Sequence, residues 1–284
     1  MDVTLEPDRA AITRRKEGRL TEWLRSRATV LLGFSGGVDS AYLGCVAVEA
    51  LGAARVLAVI GRSPSYPAVQ WATAREVAAA VGLPILEIDT HEMADPRYAA
   101  NPTNRCYFCK TELWDVLGRV ARERGFSTIV DGSNADDRAD WRPGARAAQE
   151  HEVLSPLAEV GLTKAEIRYL SRMRGLPTWS KPSSPCLSSR LPYGTPVTAP
   201  RLRQVELAED ALRALGVLGD LRVRHHGDLA RVELDRSELG EWLEPARLSA
   251  LRAAVSAAGF ARVAVDLRGF RSGSLNVLSG VSAG

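Results

Sequence analysis

The chain has 284 residues, 45% hydrophobic and 25% charged, with a formal net charge of +3 at pH 7. That is enough chain for two domains and for a core that needs no disulfide staples. That charge is too small to argue for nucleic acid, and the scarcity of lysine (Lys16, Lys110, Lys164 and Lys181) beside abundant arginine reads as a compositional bias rather than a binding patch. The opening residues lack the apolar segment of a secretory leader, and no run approaches the ~18 apolar residues that would mark a membrane span. A cytoplasmic, reducing location is the expectation. There, four cysteines are buried, catalytic or metal-binding rather than paired.

In chain order, residues 28–34 read as a buried strand, 39–51 as a helix, 55–61 as a strand and 67–81 as a helix stopped by Gly82. Residues 84–89 form a strand, 111–124 a helix stopped by Gly125, and 127–132 a strand. Short apolar strands alternating with helices predict an α/β fold with a parallel sheet, whose ligands sit at the carboxyl ends of the strands. A helix over 162–177 follows, with Thr163 as N-cap and Gly175 as C-cap. Residues 178–200 hold five prolines and several serines without periodicity, and so form a long functional loop. Beyond it the pattern changes to a helix (200–215), strands (221–227 and 229–235), a helix (244–258) and a strand (261–267), a small α+β unit. The expected division is 1–180, a cysteine-bearing linker at 181–199, and 200–284.

The first strand runs into SGGVDS, residues 35–40, which opens a helix. Helix N-terminal N–H groups make an anion site, and Gly36 and Gly37 admit the anion closely. Ser35 and Ser40 add hydroxyl donors. Asp39, negative beside a phosphate, suits a Mg2+ ion or fixes the turn. The Walker motif requires a lysine that is absent. GFSGG matches the nucleophile-elbow pattern, but only one strand precedes Ser35, whereas that fold places several before its nucleophile. A plain small-residue turn remains the bland alternative. S-G-G-x-D-S after a first strand resembles the PP-loop of the ATP pyrophosphatases. The resemblance implies a Rossmann-like, HUP-type sheet and ATP cleaved between its α and β phosphates. After the fourth strand, GSNADDRADWRPG offers Asp137 and Arg142 as substrate contacts, and Lys164 in the first turn of a helix is a further candidate. A solvated loop and a surface lysine are the competing readings.

Cys45 reads as packed core. Cys106 and Cys109, in RCYFCK at a helix start, form a redox pair or half of a metal site. Cys186, in SPCLSSR, is the one further good candidate. Three thiolates suit an iron–sulfur cluster with one open iron better than a four-ligand zinc site. SGGVDS, RCYFCK, GSNADDRADWRPG and KPSSPCLSSRLPYG occur in this order and at these spacings. They resemble the LarE-type sulfur transferases, which mature the nickel-pincer cofactor of lactate racemase, and RVRHHGDLARVEL and GFRSGSLN also look typical of them.

That resemblance implies adenylation of the carboxylates of a pyridinium-3,5-dicarboxylate mononucleotide, then sulfur attack to give thiocarboxylates. Some members sacrifice a cysteine at the Cys186 position; others, with three cysteines, carry a [4Fe-4S] cluster. Cys106, Cys109 and Cys186 imply the cluster type, with Ser35, Gly36, Gly37, Asp39 and Ser40 holding ATP and Mg2+. Arg190 would meet the substrate phosphate. Glu206 and Glu233 are further candidates for Mg2+ or substrate, although Glu206 also fits a solvated helix face. His225 and His226 adjoin on a strand and point to opposite faces, so they do not share a metal. No nucleic-acid or membrane partner is expected. The sulfur donor is not readable, and the family resemblance implies a homo-oligomer, with a hexamer as the candidate state. A PP-loop tRNA thiolase and an adenine-nucleotide regulatory module are the competing functions. The thiolase would need a basic surface, and the module would leave the cysteines unexplained.

Overall fold

The computed structural model of the protein describes residues 4–139, 143–182 and 185–271. Among these, α1 (Pro7–Arg25) precedes β1 (Val30–Gly33), α2 (Val38–Leu51), β2 (Val56–Arg62), α3 (Ala68–Ala80) and β3 (Ile85–Asp89). The short α4 (Pro96–Ala99) leads to α5 (Arg105–Arg124) and β4 (Thr128–Val130). Helices α6 (Pro143–Glu150), α7 (Pro156–Glu159) and α8 (Lys164–Met173) follow. The rest is α9 (Ala199–Ala214), β5 (Leu221–His226), β6 (Leu229–Leu234), α10 (Leu239–Trp242), α11 (Pro245–Ala257) and β7 (Arg262–Val265).

The first four strands make an all-parallel sheet in the order β3-β2-β1-β4, with Val30 opposite Val56 on one side and Thr128 on the other. Its central strands β1 and β2 are apolar on both faces because helices cover both. Val30, Leu32, Ala58 and Ile60 pack under α1, α2, α3 and α8, while Leu31, Leu57 and Val59 meet Trp114 and Leu117 of α5. Strand order reverses direction between β1 and β4. The crevice at their carboxyl ends is therefore where such a sheet takes a ligand. The α/β, Rossmann-like reading holds.

A separate sheet in the order β5-β6-β7 pairs β5 antiparallel to β6 and β6 parallel to β7. Its alternation is clean. Leu221, Val223, Ala230, Val232 and Leu234 join Leu212 of α9 and Val255 of α11 in an apolar cluster. The intervening positions Arg222, Arg224, Arg231 and Glu233 belong to the opposite face.

Three local readings need correction. Helix α1 went unread because charges dilute its apolar stripe of Ala10, Thr13, Leu20 and Leu24. Helix α5 starts at Arg105, six residues before the expected 111, because the stretch around Cys106 and Cys109 is helical. Helix α8 has the Thr163 cap with its full capping box, but it ends at Met173, and Gly175 (φ +66°) lies one residue past the Arg174 C-cap.

Candidate active site

The SGGVDS turn leaves β1 and enters α2 with Gly37 as N-cap. Gly36 has φ +64°, and a Cβ there would come within 2.6 Å of Ala74, so only glycine lets the turn lie against α3. Ser40 Oγ lies 3.2 Å from Ser35 Oγ and accepts from Ser35 N at 3.3 Å, closing the turn on itself. Gly132 meets the turn from β4, where a Cβ would touch Ser40 N at 3.0 Å. The two loops at the reversal point of the sheet thus close on one another.

Asp39 is the charged centre of this crevice. Its Oδ2 pairs with Lys164 Nζ, whereas its Oδ1 is buried and has no hydrogen-bond partner among the described residues. Burial pushes the Asp39 carboxyl up and Lys164 opposes that shift, with the Asp137 charge adding to the rise. An orphaned carboxylate oxygen beside a phosphate turn fits a hard cation such as Mg2+. The candidates Asp39, Asp137 and Lys164 are therefore neighbours. Lys164 N donates to Asp136 Oδ2, and Asp137 Oδ2 accepts from Asn134 N. Arg142 lies outside the described residues.

The cysteines come from two distant stretches. Cys106 and Cys109 sit one turn apart at the start of α5, and Cys186 immediately precedes a 3-10 turn, Leu187–Arg190. Cys106 is exposed as a residue, yet the protein crowded around its sulfur raises the thiol, and the Cys186 sulfur raises it further. Burial also raises the Cys109 thiol, followed by the Glu92 charge and then Cys186 and Cys106. The three sulfurs are thus within electrostatic reach of one another. Arg105 stands among them. Burial works against its charge, yet the Cys186 and Cys106 sulfurs hold its pKa above the ordinary value. Its guanidinium is aimed by Asn101 Oδ1 and by the Ser188 carbonyl at 3.1 Å. Among the described residues no three His, Cys, Asp or Glu side chains converge on a single ion. Cys45 is buried in the α2 core.

The C-terminal candidates are committed to protein partners. Arg190, 2% exposed, donates to both Glu209 oxygens at 2.9 and 2.8 Å and to the carbonyls of Pro185 and Cys186. In these contacts it clamps the cysteine loop to α9, and a substrate phosphate would have to displace one of them. Glu206 is not a solvated side chain. It accepts from Ala68 N at 2.8 Å, capping α3 from α9, and also pairs with Arg203. Glu233 is fully buried between Arg224 at 2.8 Å and Arg231 at 2.9 Å. His225 meets Gln204 and Phe260, while His226 feels Arg231 and Arg224, as opposite faces require. Sequence reasoning missed Gly132, Glu92, Arg105, Tyr66 and Gln70. Gly132 stood in a stretch already singled out, and Arg105 adjoins Cys106. The others carry no local pattern.

A family model described as NAD synthase matches residues 18–104. The chain is similar to an uncharacterised protein of Synechocystis, 43% identical over 87% of this chain and 91% of that one. It is 33% identical to the pyridinium-3,5-bisthiocarboxylic acid mononucleotide synthase of Lactiplantibacillus plantarum, over 92% of this chain and 94% of that one. An uncharacterised protein of Methanocaldococcus jannaschii is 26% identical over 72% of this chain and 77% of that one. A match of that identity and extent to the synthase means that this chain belongs to the LarE-type family of ATP-dependent PP-loop enzymes.

Proposed function

We propose that the protein is an ATP-dependent sulfur transferase acting on a pyridinium-3,5-dicarboxylate mononucleotide, the acid precursor of the product for which its Lactiplantibacillus relative is named. The supporting observation is the phosphate turn at the reversal point of the sheet, with the orphaned Asp39 Oδ1 beside it, in a chain whose Cys106, Cys109 and Cys186 act on one another electrostatically. A carboxylate is a poor electrophile. Its oxygen attacks the α-phosphorus of ATP, pyrophosphate leaves, and the acyl adenylate that forms has AMP as a good leaving group. A sulfur nucleophile then attacks the carbonyl carbon, AMP departs, and a thiocarboxylate remains.

The chain's own residues divide this work. Ser35, Gly36, Gly37 and Ser40 cradle the leaving pyrophosphate, and Asp39 holds Mg2+. Lys164 pairs with Asp39 and would supply positive charge beside the phosphates. Asp137 and Arg142 are proposed substrate contacts. Arg190 is proposed to act through Cys186, by fixing its loop. Cys106, Cys109 and Cys186 are proposed to hold a [4Fe-4S] cluster, which would keep one iron open for the sulfur to be delivered. What supports the fit is that the three thiols influence one another and Arg105 electrostatically; a cluster spreads its ligands over separate irons rather than one ion. Glu206 and Glu233 are left as structural carboxylates. The division at 181–199 and a homo-oligomeric state belong to the same reading, and light scattering tests the latter.

Iron and acid-labile sulfide, measured after anaerobic reconstitution of wild type and Cys106→Ala, test the cluster. About four of each per chain, lost in the variant, is the expected result. No iron in either protein would make Cys186 a sacrificial donor instead. Release of AMP that depends on the pyridinium mononucleotide tests the reaction itself. Release that depends on tRNA would replace this reading by the thiolase.

A further inference from the structure

Between the end of β2 and the first turn of α3 runs the stretch 63–70, to which the reaction above gives no role. It reaches in two directions. Toward the phosphate turn, Tyr66 Oη and Gln70 Nε2 both donate to the Ser35 carbonyl, at 2.9 and 3.2 Å. Burial raises the Tyr66 phenol, so it remains an O–H donor. Toward the sulfur side, the Ser65 carbonyl accepts at 2.8 Å from Leu187 N, the residue after Cys186. Ser65 Oγ donates at 2.8 Å to Glu92, whose charge is the largest acting on Cys109. Ser65, Gln70 and Glu92 are all buried.

The peptide between Ser35 and Gly36 is planar, so fixing its carbonyl fixes the direction of the Gly36 N–H that faces the phosphates. Two donors on that one carbonyl leave it little freedom. One residue before Tyr66 and five before Gln70, Ser65 of the same stretch fixes the backbone beside Cys186. Sulfur attack on an acyl adenylate requires the reacting atoms about 3–3.5 Å apart and aligned. The two half-sites come from distant parts of the chain, and this stretch is a direct hydrogen-bonded connection between them.

We propose that Tyr66 and Gln70 are positioning residues that tie the phosphate turn to the Cys186 loop, so that nucleotide binding at one end orders the other. The purpose assigned to this tie rests on the sulfur-transfer reading; the tie itself is tested with nucleotide alone. By linkage, a turn that orders the loop is itself ordered by it.

Hydrogen–deuterium exchange of the full chain, with and without Mg2+ and α,β-methylene-ATP, reads both ends at once. In wild type, exchange slows over residues 35–45 and, by about fivefold or more, over 186–191. In Tyr66→Phe/Gln70→Leu at saturating nucleotide, the first slowing persists and the second disappears. Tyr66→Phe alone, which keeps the ring, weakens the second slowing in the same direction, and it is the variant to use where the double one does not fold. Equal slowing at 186–191 in wild type and folded variants would overturn the proposal, because direct shielding by nucleotide would then explain it. So would a wild type whose turn is protected while its cysteine loop is unchanged. Coupling without thiocarboxylate formation would sink the functional reading and leave this inference standing.

Discussion

Alanine at Gly36 would hold a Cβ in the left-handed region and 2.6 Å from Ala74, so either the backbone or α3 must shift. The conformation alone costs about 1–2 kcal/mol. Gly36→Ala should raise the Kd for Mg-ATP at least about tenfold, read by calorimetry, with folding retained. At His225, burial depresses the ring pKa, and nearby Arg201 adds to the effect. The unfolded chain takes up that proton near pH ~6.5 and the folded chain only lower. Stability must therefore fall as pH drops below that point. His226, also depressed by burial, acts the same way. Thermal melts should show Tm declining from pH 7 to 5, and His225→Gln should flatten the slope. Carboxylates held low, such as Glu166 beside Lys16, lose their contribution only at more acidic pH.

Among elements, α8 carries a capping box in which Thr163 accepts from Glu166 N and Glu166 returns to Thr163 N. Lys16 of α1 also seats on Glu166, at 2.7 Å. Thr163→Ala should cost about 1 kcal/mol in urea unfolding, with the m-value unchanged. The same elements show what a sequence can reveal. Strands β1 and β2 were legible because both faces are apolar, and β3 because a short run with Ile85, Leu86 and Ile88 follows a helix. The phosphate turn was legible because small residues are needed where backbone meets anion. Helix α1 was not, because the leucines that seat it in the core, Leu20 and Leu24, are diluted by charged residues whose partners lie elsewhere in the chain: Lys16 on Glu166, and Glu17 accepting from Tyr42. For α5 the cysteine pair at 106 and 109 marked the helix start, while the helical span itself was read only from 111 because that stretch lacks an apolar period.

At the scale of the whole molecule, Tyr98, Met93 and Phe108 of the first half pack into the apolar cluster of the second sheet, and polar contacts pin the loop and helix beside it. Arg190 on Glu209 and Glu206 on the Ala68 N–H are two of them. Charge and spacing marked both residues as noteworthy, but their roles depend on partners 19 and 138 positions away, which no local pattern encodes. Arg190→Gln leaves Glu209 without its buried partner and should cost about 3–5 kcal/mol. Where the variant folds at low temperature, sulfur transfer should fall much further than ATP binding, since only the Cys186 loop is released. The measurement closest to the central claim is the mass of the product formed from pyridinium-3,5-dicarboxylate mononucleotide, ATP, Mg2+ and sulfide by the anaerobically reconstituted protein. The account requires a species in which sulfur has replaced a carboxylate oxygen, formed together with AMP and pyrophosphate and absent when ATP is omitted. AMP release with the carboxylates returned unchanged, or sulfur incorporation without ATP, would contradict it.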